Sequence, residues 1–304
     1  MTVNLKDEIL RLKKEKNALI LAHNYQIPEI QDVADVVGDS LKLSQVARET
    51  DCEIIIICGV HFMAESAKIL APNKKVFIPR IDAGCPMAEM IDVDKLREFK
   101  KDNNNAPVVC YVNSSAKVKA ESDICCTSSN ALSIAKSFSE DTILFAPDKH
   151  LSSYISSMLP EKNIIAYNGF CVTHNRIRMS EIEDMKEKYP DALLLVHPEC
   201  DKSVVSKADF VGSTSAIIDF ANKSSSKRFI IGTEIGVMHK LTNDNAGSGK
   251  EFYMLSDSLV CSNMKKNTLA DLYKCLNEEC NEIHVDEEVR IKAKRALDRM
   301  LEIS

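Results

Sequence analysis

No stretch of the 304-residue chain reaches the roughly 18 consecutive apolar residues that span a bilayer, which excludes a helical membrane anchor. The segment Met1-Thr2-Val3-Asn4-Leu5-Lys6-Asp7 lacks the basic-then-apolar order of a secretion signal, so the expected compartment is the cytoplasm. Basic stripes are missing too. The 39 Lys and Arg residues are interleaved with 45 Asp and Glu, for a formal charge of −6, and such a field repels nucleic acid. Neither nucleic acid nor membrane is therefore expected as a partner, and anionic small molecules would need local donors. CxxC pairs are also absent from the eleven cysteines, which argues against a zinc site. An odd count in a large chain without a signal argues against a disulfide framework. Cys52, Cys58 and Cys110 lie in or beside apolar runs and read as small core residues, as do Cys275 and Cys280 near a helical segment.

What the chain does have is a threefold internal repeat. Each copy is anchored by an aspartate: Asp35, Asp123 and Asp209. Five residues after it stands a hydroxyl (Ser40, Ser128, Thr214), and twelve before it a ring-bearing polar residue ends an apolar run (His23, Tyr111, His197). Ten residues before it stands a further functional group: Tyr25, Asn113 or Glu199. Roughly fifty residues after it comes a cysteine: Cys85, Cys171 or Cys261. A period of this kind means one supersecondary unit used several times. Polar residues placed alike in three units point to one shared site on a pseudo-threefold axis.

Each copy reads helix, strand, helix, strand, helix, strand. In the first, strands are expected at 18–22, 53–57 and 75–79, in the second at 108–111, 142–145 and 164–167, and in the third at 193–196, 228–231 and 251–254. Continuous apolar strands alternating with amphipathic helices imply parallel sheets covered on both faces. The expected fold is α/β, with three pseudo-threefold-related three-layer α/β/α domains, each with a small parallel sheet, around a central active site. The expected boundaries are 1–90 (with Cys85), 91–177 (with Cys171), 178–282 (with Cys261) and a C-terminal helix in 283–304.

Ligands of parallel α/β units gather at the carboxyl ends of strands. His23, Tyr25, Tyr111, Asn113, His197 and Glu199 all stand at or just past such ends. Ser40, Ser128 and Thr214 each open a helical segment, where a hydroxyl either caps the helix or, with the free N–H groups, binds phosphate or carboxylate. Cys85, Cys171 and Cys261 follow the last strand of their copies. Singly each could be a structural loop residue. Meeting at one place, three thiolates suit an iron–sulfur cluster that lacks its fourth cysteine and so leaves one iron open. Glu199 and Tyr25 are the better acid–base candidates, and His174, three residues after Cys171, is a possible substrate contact.

Five segments carry a family resemblance that runs in order along essentially the whole chain. They are Ala22-His23-Asn24-Tyr25-Gln26, Cys126-Thr127-Ser128-Ser129-Asn130-Ala131, Gly169-Phe170-Cys171-Val172-Thr173-His174, His197-Pro198-Glu199-Cys200 and Cys261-Ser262-Asn263-Met264-Lys265-Lys266. Together they resemble the signatures of the quinolinate synthase family of NAD biosynthesis. The resemblance implies a [4Fe-4S] cluster held by Cys85, Cys171 and Cys261 with one open iron acting as Lewis acid. It implies a substrate pocket of His23, Ser40, Tyr111, Asn113, Ser128, His174, His197, Glu199, Ser213 and Thr214, with Tyr25, Glu199 and His197 as catalytic groups. It implies condensation of iminosuccinate with dihydroxyacetone phosphate to quinolinate, phosphate and two waters, and a transient contact with the L-aspartate oxidase that makes the imine. Some relatives carry a CxxCxxC run ending on the third cluster cysteine. Here Leu255 and Ser258 stand at those positions, so the redox disulfide of such relatives cannot form.

Two other readings of the same residues remain open. One is a cluster-free triose phosphate aldolase using the same anion sites. The other is an iron–sulfur redox sensor without turnover, supported by the surplus cysteines. Cys125, beside Cys126, has no role in any of them.

Overall fold

The computed structural model describes residues 4–303; Met1–Val3 and Ser304, at the ends of the expected first and last segments, lie outside the described residues. The strands among the described residues are, in chain order, Ala18–His23 (β1), Val36–Gly38 (β2), Ile54–Cys58 (β3), Lys75–Phe77 (β4), Val108–Tyr111 (β5), Ile124–Cys126 (β6), Thr142–Ala146 (β7), Asn163–Ala166 (β8), Leu193–Val196 (β9), Phe210–Val211 (β10), Arg228–Gly232 (β11) and Glu251–Met254 (β12). They form three four-stranded, all-parallel sheets with one topology: β2-β1-β3-β4, β6-β5-β7-β8 and β10-β9-β11-β12. β3 is buried at every position, as a central parallel strand covered on both faces requires. The fold is α/β, and its three sheets are flanked by helices as the repeat predicts.

The repeat extends to register. Ala18 pairs with Ile54, Val108 with Leu144 and Leu193 with Phe229, at one sequence separation in all three sheets. The edge strands also keep one separation, Leu21 with Val36, Val109 with Ile124 and Leu195 with Phe210, and what sets it there is the anchor aspartate. Asp35 accepts the Ile20 N–H at 2.9 Å, Asp123 the Val108 N–H at 2.8 Å and Asp209 the Leu194 N–H at 2.7 Å. The backbone N–H of each aspartate returns a bond to the carbonyl of that same strand residue, at 2.9, 3.1 and 2.9 Å. This two-way clamp pins the start of the edge strand to the central strand. Lysines brace two clamps, Lys13 to Asp35 at 2.8 Å and Lys186 to Asp209 at 2.7 Å, while Lys100 reaches the Glu121 carbonyl instead.

Two expectations need correction. The reading of three strands per copy misses the short edge strands β2, β6 and β10, which begin directly after each aspartate and are too brief to show a hydrophobic period. The hydroxyls are also not the helix caps. Asp39 caps Ser40–Glu49 through the Lys42 N–H, and Ser213 caps Thr214–Lys223 through the Ala216 N–H, so Ser40 and Thr214 are first-turn residues. In the second copy the helix starts only at Ala131, leaving Ser128 in the preceding turn.

The last helix, Glu287–Glu302, buries Ala293, Ala296, Leu297, Met300 and Leu301 along one stripe. It lies across β6 and the helices Ala116–Ala120 and His61–Leu70, bridging first and second copies. Before it, helix Leu269–Glu278 packs Leu272, Cys275 and Leu276 against Ile9 and Leu12 of helix Leu5–Glu15, and the Ile283 N–H donates to the Val76 carbonyl at 2.8 Å. The end of the third copy thus closes back on the first. Cys125 faces Cys110 across β6 and β5 in the buried core.

Replacing Asp123 by Ala strands the N–H of fully buried Val108, and the expected loss is about 1–3 kcal/mol of unfolding free energy in urea titration. Asp123→Asn keeps an acceptor and loses clearly less; equal losses for the two variants would exclude the clamp.

Candidate active site

The three sheets point their strand ends at one pocket. His23 and Tyr111 are the last residues of β1 and β5, and His197 directly follows β9. With Tyr25, Asn113 and Glu199 they line a single cavity, together with Ser40, Ser128, Thr214, His174, Cys85, Cys171 and Cys261. Ser213 is the one candidate outside the lining. It sits behind the wall as a cap and bonds at 2.9 Å to Ser129, which also donates to Asp39 at 2.8 Å.

Local backbone geometry sets the state of two histidines. The Tyr25 N–H donates to His23 Nδ1 at 3.1 Å, and the Glu199 N–H to His197 Nδ1 at 3.3 Å. A neutral ring that accepts at Nδ1 carries its proton on Nε2, so both histidines present a donor to the pocket. His197 aims it at Ser128 Oγ, 3.2 Å away. Burial lowers His23 to about 4 and His197 to about 3, so both stay neutral at pH 7.

Glu199 is the hub of the polar network. Its carboxylate accepts the Tyr111 hydroxyl at 2.6 Å and lies 2.7 Å from His174 Nδ1. Burial works to raise this carboxyl, and the charge that His197 takes up only in acid, the hydrogen bond and charge of His174, and the Tyr111 hydroxyl outweigh it, leaving Glu199 below the usual range. From His174 the network continues through Nε2 to Thr233 Oγ1 at 3.0 Å, and from Thr233 to the Tyr25 hydroxyl at 2.8 Å. Thr214 donates to the same phenol at 2.8 Å. The two acid–base candidates are thus joined side chain to side chain. Burial, then the Glu199 charge, push Tyr25 and Tyr111 well up, so both phenols keep their protons.

The cysteine loops share one geometry. The carbonyls of Cys85, Cys171 and Cys261 accept the N–H of Glu89, Asn175 and Lys265 at 3.2, 3.0 and 3.1 Å. Each thiol is raised by burial, Cys85 to about 12, and each is eased back by backbone N–H donors: Ala88 and Met87, His174, and Met264 and Asn263 respectively. A thiolate at Cys261 would raise Cys85 further, and one at Cys85 would raise Cys171. Three half-buried thiols, one from each like loop and all lining one pocket, fit a metal group that brings its own positive charge. A second donor set, Cys171, His174 and Glu199, places its atoms within 4.8 Å of one another, but the His174–Glu199 contact is already a short hydrogen bond.

Several lining residues escaped the sequence reading. Asp39 was legible as a residue before a helical segment. Glu234, fully buried, stands in no motif. Arg176, five residues after Cys171, is the only Lys or Arg lining the pocket among the described residues. Asp148 lies beside the Cys171 loop, where burial, then the Glu199 charge, push its carboxyl well up.

A histidine lowered from 6.5 on folding means that the unfolded chain takes up more protons as pH falls. Stability should therefore drop between about pH 6.5 and pH 4, by up to about 1.4 kcal/mol per pH unit for each such ring. In urea titrations of metal-free protein, His197→Gln should flatten that window by one histidine's slope; identical slopes would exclude a neutral buried His197.

A family model described as quinolinate synthetase A protein matches residues 7–302. The quinolinate synthase of Alkaliphilus metalliredigens is 60% identical over 300 residues, covering 99% of this chain and 98% of that protein. Those of Caldicellulosiruptor bescii and Clostridium kluyveri are 54% and 52% identical over 299 residues, each covering 98% of both proteins. No helix among the described residues is long and apolar enough to cross a membrane. With the match running nearly end to end, the chain belongs to the quinolinate synthetase A protein family.

Proposed function

We propose that this pocket carries quinolinate synthase activity for NAD biosynthesis, joining iminosuccinate to dihydroxyacetone phosphate to give quinolinate, phosphate and two waters. The observation that carries the reading is that one cysteine from each of three like loops reaches the pocket that also holds the Glu199 network. A [4Fe-4S] cluster held by Cys85, Cys171 and Cys261 would supply a Lewis-acidic iron with an open position. The chain's own residues bind, orient and move protons. Neutral His23 and His197 offer Nε2–H donors, and Ser40, Ser128 and Thr214 offer hydroxyls, so the substrate carboxylates and phosphate meet donors despite the net charge of −6. Asn113 adds an amide from the second copy, and Ser213 acts from behind by holding its helix start in place.

Glu199 is the base that takes a proton from the condensing carbon or nitrogen, with Tyr111 stabilising its anionic form at Oε1. Tyr25, held protonated, is the acid that gives a proton to a departing hydroxyl, and His174 with Thr233 lies between the two groups. The eleven cysteines are free thiols, which suits a reducing cytoplasm. Direct transfer from L-aspartate oxidase would shorten the time the unstable imine spends in water.

The test is quinolinate formation from the two substrates by anaerobically reconstituted protein. Brown, iron-loaded protein with turnover is expected; colourless, iron-free protein with full activity would overturn the cluster, and no product would overturn the reaction. Cys85→Ala, Cys171→Ala or Cys261→Ala should lose iron and activity together, whereas Cys52→Ala and Cys275→Ala should keep both. Glu199→Gln should retain iron and lose about 10²–10⁴-fold in turnover; unchanged turnover would remove Glu199 from the proton transfers.

A further inference from the structure

The three cysteine loops are alike in backbone and unlike in what holds them. In each copy the residue just beyond the second long strand donates its N–H to the carbonyl two positions before the cysteine: His61 to Ala83 at 2.8 Å, Lys149 to Gly169 at 2.8 Å and Ile235 to Leu259 at 2.9 Å. The residues immediately before these donors are therefore equivalent, and they are Val60, Asp148 and Glu234. Asp148 accepts the Cys171 N–H at 3.2 Å on one oxygen and the Leu151 N–H at 2.7 Å on the other. Glu234 accepts the Cys261 N–H at 3.0 Å on one oxygen and the Gly236 N–H at 2.7 Å on the other. Both carboxyl groups are 0% exposed. Val60 is equally interior and has nothing to offer the Cys85 loop.

A helix or turn cap needs one side-chain oxygen. Each of these residues gives its second oxygen to the amide of a cysteine, and Val60 shows that the position folds without any acceptor. Fixing the amide fixes the direction of the Cα–Cβ bond and so of the sulfur. The third copy adds a further tie. Lys265, four residues after Cys261, contacts Glu234 at 2.9 Å and donates to the Tyr25 carbonyl at 2.5 Å. Gly236 lies so close to the Tyr25 backbone that a Cβ there would approach within 2.7 Å. The Cys261 loop and the Tyr25 loop are thereby held as one unit.

We propose, resting on the cluster reading above, that Asp148 and Glu234 are positioning residues for the Cys171 and Cys261 thiolates, and that Cys85 is the one cluster ligand without a carboxyl clamp. Groups that orient metal ligands commonly govern metal affinity by 10–100-fold. The asymmetry leaves the first copy's loop as the adaptable edge of the site.

The test is the rate of iron release to a chelator from anaerobically loaded protein, with urea midpoints of the metal-free proteins measured in parallel. Asp148→Asn and Glu234→Gln should release iron about 10–100-fold faster than wild type, and Val60→Ala should not. Asp148→Ser is the second variant, because serine still caps the helix but is too short to reach the Cys171 N–H. Faster release from Asp148→Ser with an unchanged urea midpoint supports the clamp. Release within twofold of wild type in all the carboxyl variants overturns it, as does an acceleration matched by Val60→Ala. A wild-type protein that takes up no iron overturns the cluster reading itself, and the clamp with it.

Discussion

Each sheet depends on a single two-way clamp between an anchor aspartate and a central-strand residue, Asp35 with Ile20, Asp123 with Val108 and Asp209 with Leu194. A strand of two or three residues has too few ladder bonds to hold its register alone. The carboxylate adds one bond at the point where the edge strand begins and leaves no choice of pairing. Because the clamp recurs at one separation, the strand ends that follow are aimed alike in all three copies. The pocket inherits its backbone symmetry from that repetition.

Chemical difference is then laid on like backbones. His23 and His197 share an Nδ1 acceptor bond from the residue two positions on, and so share a tautomer. Tyr111, at the matching place in the second copy, supplies a hydroxyl to Glu199 instead. Asn113 differs in turn from Tyr25 and Glu199. The cysteine loops follow the same logic, with Asp148 and Glu234 against Val60. Three identical walls could not tell apart the ends of an asymmetric ligand, and the differing side chains break that symmetry without disturbing the scaffold.

Much of this was legible in the chain. Buried parallel strands announce themselves as apolar runs, and residues at fixed offsets from an aspartate announce a repeat; the three cysteines, His23, Tyr25, Tyr111, Asn113, His197 and Glu199 were found that way, and the structure brings them together. The edge strands were not legible, because two or three residues carry no period. The true caps were passed over, although Asp39 and Ser213 stand one residue before the hydroxyls that drew notice. Ser128 misled for the opposite reason: its copy delays the helix to Ala131.

The order of strands and helices, the threefold offsets and the chemical type of each pocket residue are properties of the sequence, because they depend on local periodicity and on residue identity. Which groups touch is a property of the tertiary structure. Tyr111 and Glu199 are 88 residues apart, Tyr25 and Thr233 are 208 apart, and Lys265 reaches Tyr25 across 240. Contacts of that span arise only when three sheets and a returning C-terminal segment close on one pocket. Burial there, not spacing along the chain, lowers two histidines and keeps two phenols protonated.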